Sequence, residues 1–111
     1  MKFGLALIGA LLLFSGCNSD IGLEGALVGG SCRDYRDCER ECVGGRDFPD
    51  GMCTVYCRDD RDCPSGTGCI DRNGGVCALY CEVDADCRRA YDCEDVRRRG
   101  GPGDERVCIG D

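Results

Sequence analysis

The chain of 111 residues contains thirteen cysteines, no histidine and an excess of acidic side chains that gives a net charge of −7. This charge argues against nucleic acid as a partner, because binding nucleic acid requires a basic surface, and it argues equally against adsorption to anionic lipid. The length allows one small domain or a few very small modules.

The N-terminus has the pattern of an export signal. Met1 and Lys2 precede an apolar run over residues 3–14, which is too short to cross a membrane as a helix. Residues 14–17 read Phe-Ser-Gly-Cys and resemble the lipobox of bacterial lipoproteins, in which a bulky apolar residue and two small residues precede the modified cysteine. The resemblance implies a signal peptide over residues 1–16, and a diacylglycerol and a fatty acyl chain on Cys17.

The number of cysteines supports lipidation of Cys17. Without it twelve cysteines remain, an even number that can close into six disulfides. Because two or more acyl chains hold a protein stably at a bilayer, we expect an exported, lipid-anchored protein. Asn18 rather than an aspartate follows Cys17, which favours the outer membrane over the inner membrane. The alternative is an ordinary signal peptide that ends near Gly16 and leaves a free thiol at Cys17.

The segment after the signal differs in composition from the rest of the chain. Residues 17–31 contain no cysteine beyond Cys17, and four glycines accompany modest apolar content. This composition predicts a flexible tether between the lipid and the remainder of the protein.

A cysteine repeat begins at Cys32. Three units cover residues 32–56, 57–80 and 81–111, and each contains four cysteines with five residues between the first and the second. An aspartate precedes the second cysteine in every unit. Such a period indicates stacked or strung modules. Units this small bury little apolar surface, so they need disulfides, each worth roughly 3 kcal/mol for a loop of about a dozen residues. An exported chain meets the oxidising conditions in which disulfides persist.

Spacing alone leaves the pairing of the cysteines open. The stretch Cys57-x-x-Asp60-x-Asp62-Cys63-x5-Cys69, repeated from Cys81 to Cys93, resembles part of the whey-acidic-protein modules and of the N-terminal region of Dickkopf-type proteins. The whey-acidic-protein likeness implies pairing of the first cysteine with the third, and of the second with the fourth. The implied disulfides are Cys32–Cys42, Cys38–Cys53, Cys57–Cys69, Cys63–Cys77, Cys81–Cys93 and Cys87–Cys108.

Turn signals indicate short hairpins in the units. Pro-Asp-Gly at 49–51 and Asn-Gly-Gly at 73–75 precede residues of high β propensity. In the third unit residues 84–99 lack glycine and proline, and Gly100 follows a basic turn, which predicts one short helix there. The predicted fold class is small and disulfide-rich, with three tandem β-hairpin modules, little regular secondary structure and one short helix.

Little in the sequence indicates catalysis or a cofactor. The absence of histidine removes the usual Cys–His and Ser–His pairs, so we predict that the protein is not an enzyme and needs no cofactor. No Cys-x-x-Cys occurs, which argues against a structural metal. Four aspartates are weak calcium candidates, although the structural interpretation is that they cap turns. These are Asp60, Asp62, Asp84 and Asp86. We expect Tyr56 and Tyr80, each next to a cysteine, to pack on the disulfides.

The gaps between cysteines indicate the function. Residues 43–52, 70–76 and 94–107 differ in length and charge while the cysteine frame is constant, as in a scaffold that displays binding loops. This predicts a non-enzymatic, membrane-anchored envelope lipoprotein that presents loops to an extracellular protein or glycan. One alternative is a peptidase inhibitor, suggested by the whey-acidic-protein likeness and by the loop at 43–52. Another is a passive envelope component without a specific partner.

Overall fold

The computed structural model describes residues 20–110. The signal peptide and the lipidation site Cys17 lie outside the described residues. Each unit forms one antiparallel hairpin, which confirms the predicted disulfide-rich fold class. The six strands are β1 (Glu41–Val43), β2 (Met52–Thr54), β3 (Thr67–Ile70), β4 (Val76–Leu79), β5 (Tyr91–Arg97) and β6 (Asp104–Gly110).

Two disulfides clamp a short 3-10 turn onto each hairpin. The two strand cysteines of a module lie directly opposite each other, as in Cys42↔Cys53, Cys69↔Cys77 and Cys93↔Cys108. Opposed residues project from the same face of a hairpin, so both bridges leave from one face and hold the turn against it. The structure has the six disulfides that the resemblance implied: Cys32–Cys42, Cys38–Cys53, Cys57–Cys69, Cys63–Cys77, Cys81–Cys93 and Cys87–Cys108.

Local hydrogen bonds explain the aspartate before each second cysteine. The Oδ2 atoms of Asp37, Asp62 and Asp86 accept the backbone N–H four residues earlier, at 2.8, 2.8 and 2.9 Å. The bond closes the segment between the first two cysteines of the module, because a short acceptor side chain replaces a backbone carbonyl. The aspartate therefore stabilises the 3-10 turn that both disulfides hold against the hairpin.

The prediction of a short helix in the third module is wrong. Residues Asp84–Asp86 form only a 3-10 turn, and Tyr91–Arg97 is a strand paired along its full length with β6. In residues 20–110 the only helical segments are the 3-10 turns Tyr35–Asp37, Asp60–Asp62 and Asp84–Asp86. A disulfide to Cys81 and pairing with a strand that lies beyond Gly103 hold Cys93 in the hairpin. These long-range constraints override the local helix signals.

The three modules share one hydrophobic core. Phe48 is fully buried and belongs to the same cluster as residues from the other two hairpins. That cluster is formed by Val43, Phe48, Met52, Ile70, Val76, Ala78, Cys81, Tyr91, Cys93, Val96, Val107, Cys108 and Ile109. All six disulfides lie within single modules, so noncovalent packing and the short linkers hold the modules together.

Modules one and three also meet through polar contacts. Arg88 donates to the carbonyl of Gly51 at 2.7 Å, and its guanidinium lies 4.5 Å from the centroid of the Tyr91 ring. The Tyr91 hydroxyl donates to the carbonyl of Pro49 at 3.0 Å. Burial of this phenol raises its pKa to about 12. The first and third modules therefore contact each other directly, in addition to their contacts with the second module.

Residues 20–31 differ from the flexible tether predicted there. Val28 is fully buried in a second apolar cluster with disulfide cysteines of the second module. Gly29 N–H donates to the Cys53 carbonyl at 2.9 Å, and Cys53 N–H donates to the Gly30 carbonyl at 2.8 Å. The segment thus lies along β2, because it pairs with the open edge of that strand and buries an apolar side chain. Residues 17–19 of the predicted tether lie outside the described residues.

We expect Phe48→Ala to lower the free energy of unfolding by about 3–5 kcal/mol, since it removes a large side chain from the shared core and leaves a cavity. The measurement is denaturant-induced unfolding with the disulfides intact. Tyr35→Ala is the control, because this side chain is 65% exposed, and it should change the free energy by less than about 0.5 kcal/mol. Equal losses in the two variants would contradict a core shared by all modules.

Candidate functional site

The three variable loops lie side by side. Their hairpin connections are residues 44–51, 71–75 and 98–103, and we call these connections, together with the adjoining Arg97 at the end of β5, the loop face. Asp47 of the first connection pairs with Arg72 of the second at 3.4 Å, and Asp71 of the second pairs with Arg99 of the third at 2.9 Å. The Asp71 N–H also donates to the Arg97 carbonyl at 2.9 Å. Segments that are distant in sequence therefore form one continuous surface.

The candidate loops also carry part of the core. In residues 43–52, Val43, Phe48 and Met52 are buried, whereas residues 44–46 are exposed. The second and third loops likewise bury Ile70 and Val107. Only their exposed side chains are free to contact a partner. The peptidase-inhibitor alternative has the same restriction, since its loop would have to present the exposed segment at 44–46.

The calcium candidates are engaged in hydrogen bonds within their own modules. The Oδ1 atoms of Asp60 and Asp84 accept the N–H groups of Cys69 and Cys93, each at 2.8 Å. These bonds tie the 3-10 turn to the hairpin at equivalent places in modules two and three. Asp62 and Asp86 accept amides inside the turn through Oδ2. The four side chains thus lie in two turns of different modules, where each stabilises the backbone.

Cysteine sulfurs lie close together in each module. Three sulfurs per module approach within 4.8 Å of one another. All of them belong to disulfides, whereas a cysteine binds a metal as the thiolate. The close approach reflects two neighbouring bridges and the face that they share.

The tyrosines are exposed rather than packed on the disulfides. Tyr56 is 54% exposed and Tyr80 is 47% exposed, so the predicted packing is wrong. Each precedes a buried cysteine in extended backbone, where neighbouring side chains point in opposite directions. Tyr35 is also exposed. Aromatic side chains are therefore available on the surface at three points outside the loop face.

Arginines line a cleft of about 340 Å³ beside the third loop. Arg98, Arg99 and Gly100 border both this cleft and an adjacent one of about 400 Å³. The guanidinium groups already face carboxylates, with Arg61–Asp59 at 3.0 Å, Arg98–Asp60 at 2.7 Å and Arg99–Asp71 at 2.9 Å. The positive charge of the cleft is therefore largely neutralised within the protein.

A cluster of polar groups surrounds the buried carboxyl of Glu105 between modules two and three. We call Asp60, Tyr80, Arg98 and Glu105 the carboxyl junction. Arg98 lies between the two carboxylates, with Nη1 2.7 Å from Asp60 Oδ2 and Nη2 3.5 Å from Glu105 Oε1. Glu105 is 4% exposed. Sequence reasoning singled out Asp60 as a weak calcium candidate but missed Arg98 and Glu105 as site residues.

The two carboxyls of the junction have opposite pKa shifts. Burial raises the pKa of Glu105 to about 7, and hydrogen bonding to Asp60 and the negative charge of Asp60 add to this effect. The same hydrogen bond to Glu105 lowers the pKa of Asp60, with further contributions from the Cys69 N–H and from Arg98. Below about pH 7 the proton of the pair therefore resides on Glu105, beside Asp60, and the two carboxyls titrate as one coupled system.

No protein-family model, curated protein or solved structure matches the chain. Within residues 20–110 none of the helical segments has the length and apolar character needed to cross a lipid bilayer.

If Asp84 acts as a hydrogen-bond acceptor for the turn, Asp84→Asn should leave the unfolding midpoint near that of the wild type, because the amide oxygen still accepts the Cys93 N–H. Asp84→Ala should cost about 1–3 kcal/mol, since that amide loses its partner. Thermal unfolding measures both, with millimolar calcium or a chelator added. Calcium should leave the midpoint unchanged, and a rise that Asp84→Asn abolishes would instead establish a calcium site.

Proposed function

We propose that the protein is an exported, lipid-anchored envelope lipoprotein without enzymatic activity, which binds an extracellular protein or glycan through its loop face. The binding role rests on one observation: two ion pairs, Asp47–Arg72 and Asp71–Arg99, join the three variable loops. The three loops, which vary while the cysteine pattern is constant, therefore form one surface on a disulfide-bonded scaffold. Rigid presentation of loops lowers the entropic cost of binding.

The disulfides support export and lipidation. Structures with six bridges persist in oxidising compartments outside the cytoplasm. Twelve of the thirteen cysteines are paired, and the remaining one is Cys17, at the position that the lipobox resemblance assigns to the acyl chains. A diacylglycerol and a fatty acyl chain on Cys17 would hold the protein at the membrane, and Asn18 favours the outer membrane.

The exposed side chains of the loop face suit a polar partner. Arg46 and Arg97 are exposed there, and the Arg97 carbonyl fixes the second loop beside the third. Arginine is enriched at protein interfaces, where its side chain combines apolar area with hydrogen-bond donors. Guanidinium groups also donate to carboxylate and hydroxyl groups of glycans. These features favour a protein or glycan surface over an apolar small molecule.

The mass of the intact protein extracted from membranes tests the anchor and the bridges together. We expect the mass of residues 17–111 plus a diacylglycerol and a fatty acyl chain, less the twelve hydrogens lost in six disulfides. Reduction should restore those hydrogens. Cys17→Ser is the control and should abolish both the acyl mass and recovery in the membrane fraction. An unlipidated wild-type chain released from membranes would refute the anchor.

The binding role is tested with two matched double variants. Arg46→Ser/Arg97→Ser removes exposed arginines at the loop face, and Arg40→Ser/Arg89→Ser removes exposed arginines elsewhere. Both proteins should remain folded by circular dichroism, because none of these side chains belongs to the core. Binding to a glycan array and to purified envelope proteins should fall at least about tenfold in the first variant only. Equal binding by both variants would contradict the loop face.

A further inference from the structure

Glu105 places a carboxyl group against the backbone of the neighbouring module. It lies on β6, opposite Val96 of β5. A Cβ atom added to Gly68 of β3 would lie 2.8 Å from Glu105 Cδ and Oε2, so the carboxyl fills the space that glycine leaves open. Within residues 20–110 no disulfide joins these two modules. The contact is therefore noncovalent and buried.

The groups that face this carboxyl are few. Asp60 comes from the 3-10 turn of module two, Tyr80 from the end of module two directly after β4, and Arg98 from the third loop. Strands β3 and β4, which also pack on β6, carry no titratable side chain other than disulfide cysteines. On β5, the neighbours of Val96 project from the opposite face, where Asp95 pairs with Arg106 at 3.4 Å. The Arg98 guanidinium therefore interacts with the carboxyl groups of both Asp60 and Glu105.

An ionised Glu105 is poorly accommodated at this place. As a carboxylate it leaves Oε2 buried with no hydrogen-bond partner. It also puts a second negative charge beside Asp60. Arg98 and a hydrogen bond with Tyr80 favour the charged form, but burial and Asp60 outweigh them. A protonated Glu105 carries a hydroxyl that donates to the Asp60 carboxylate, which removes the repulsion between them. The arrangement thus suits the neutral acid, since an unpaired buried charge is costly.

We propose that Glu105 is a proton-dependent latch between the second and third modules. When protonated, its carboxyl donates to Asp60 and holds β6 and the third loop against module two. When it loses the proton to water, the carboxylate repels Asp60 and the junction loosens. The inference rests on the junction alone and holds whatever the loop face binds. It also couples the position of the third loop, which begins at Arg98, to the acidity of the surroundings.

The direction of the pH effect follows from the raised pKa of Glu105. The folded protein binds this proton more tightly than the unfolded chain, in which the glutamate has its ordinary pKa of about 4.5. The stabilisation is fully present below that value and is lost as the pH rises through about 7. Acidic conditions therefore close the latch.

Hydrogen exchange in the full chain tests the latch. The Arg99 N–H donates to the Cys69 carbonyl at 3.0 Å and the Asp71 N–H to the Arg97 carbonyl at 2.9 Å, so both amides report on the junction. Between about pH 5 and about pH 8, after correction for intrinsic exchange, their protection should fall about tenfold or more, the factor for one pKa unit. The Gly29 amide, which donates to Cys53 in module one, should keep its protection.

Two substitutions separate the latch from general acidity. Glu105→Gln keeps the shape and a permanent donor toward Asp60, so protection of the Arg99 and Asp71 amides should vary less than about twofold with pH. Glu94→Gln, at an exposed position of the same hairpin, should behave as the wild type. A wild-type pH dependence that persists in Glu105→Gln, or its absence from the wild type, would overturn the proposal.

A direct titration keeps the test valid if Glu105→Gln fails to fold. The carboxyl carbon of Glu105 in the wild-type protein is followed by nuclear magnetic resonance over the same pH range. A midpoint near 7 supports the latch. A midpoint near 4.5, the value of an unperturbed glutamate, refutes it.

Discussion

This structure depends on one covalent constraint. In each module, two disulfides attach to cysteines that lie directly opposite each other on the two strands. In each module they fix a 3-10 turn to one face of a hairpin of three to seven residues per strand. An isolated hairpin of this size is marginal in water, and the bridges offset this by restricting the unfolded chain. Because every bridge stays inside its module, covalent chemistry determines the shape of each unit but not how the units are arranged.

The arrangement of the units depends on a small number of noncovalent contacts. Phe48 and Ile70 join a core that no module could form alone, and Arg88 closes the first module onto the third. The carboxyl junction closes the third module onto the second. These contacts place the three loops side by side in the loop face. The noncovalent contacts that hold the modules together therefore also determine the geometry of the loop face.

The cysteine pattern predicted the modules well because its information is local. The aspartate before each second cysteine closes a turn within five residues. The cysteine pairing, by contrast, was implied only by the whey-acidic-protein likeness. The strand at Tyr91–Arg97 was missed because its partner lies beyond a glycine-rich turn, while its own sequence has the composition of a helix. Tyr56 and Tyr80 were assigned to the disulfides from adjacency alone, although alternation along the extended backbone turns them outward.

The sequence by itself determined that the chain is a disulfide-rich series of three hairpin modules, since cysteine spacing and turn residues act over short distances. Only the tertiary structure decided that residues 20–31 pack along β2, that three loops form one surface and that Glu105 is buried beside Asp60. Glu105 alternates with Val107 and Ile109 on β6, a pattern that predicts a buried side chain only after the strand itself is known. Each of these features joins residues far apart in the chain, and no local pattern encodes such contacts.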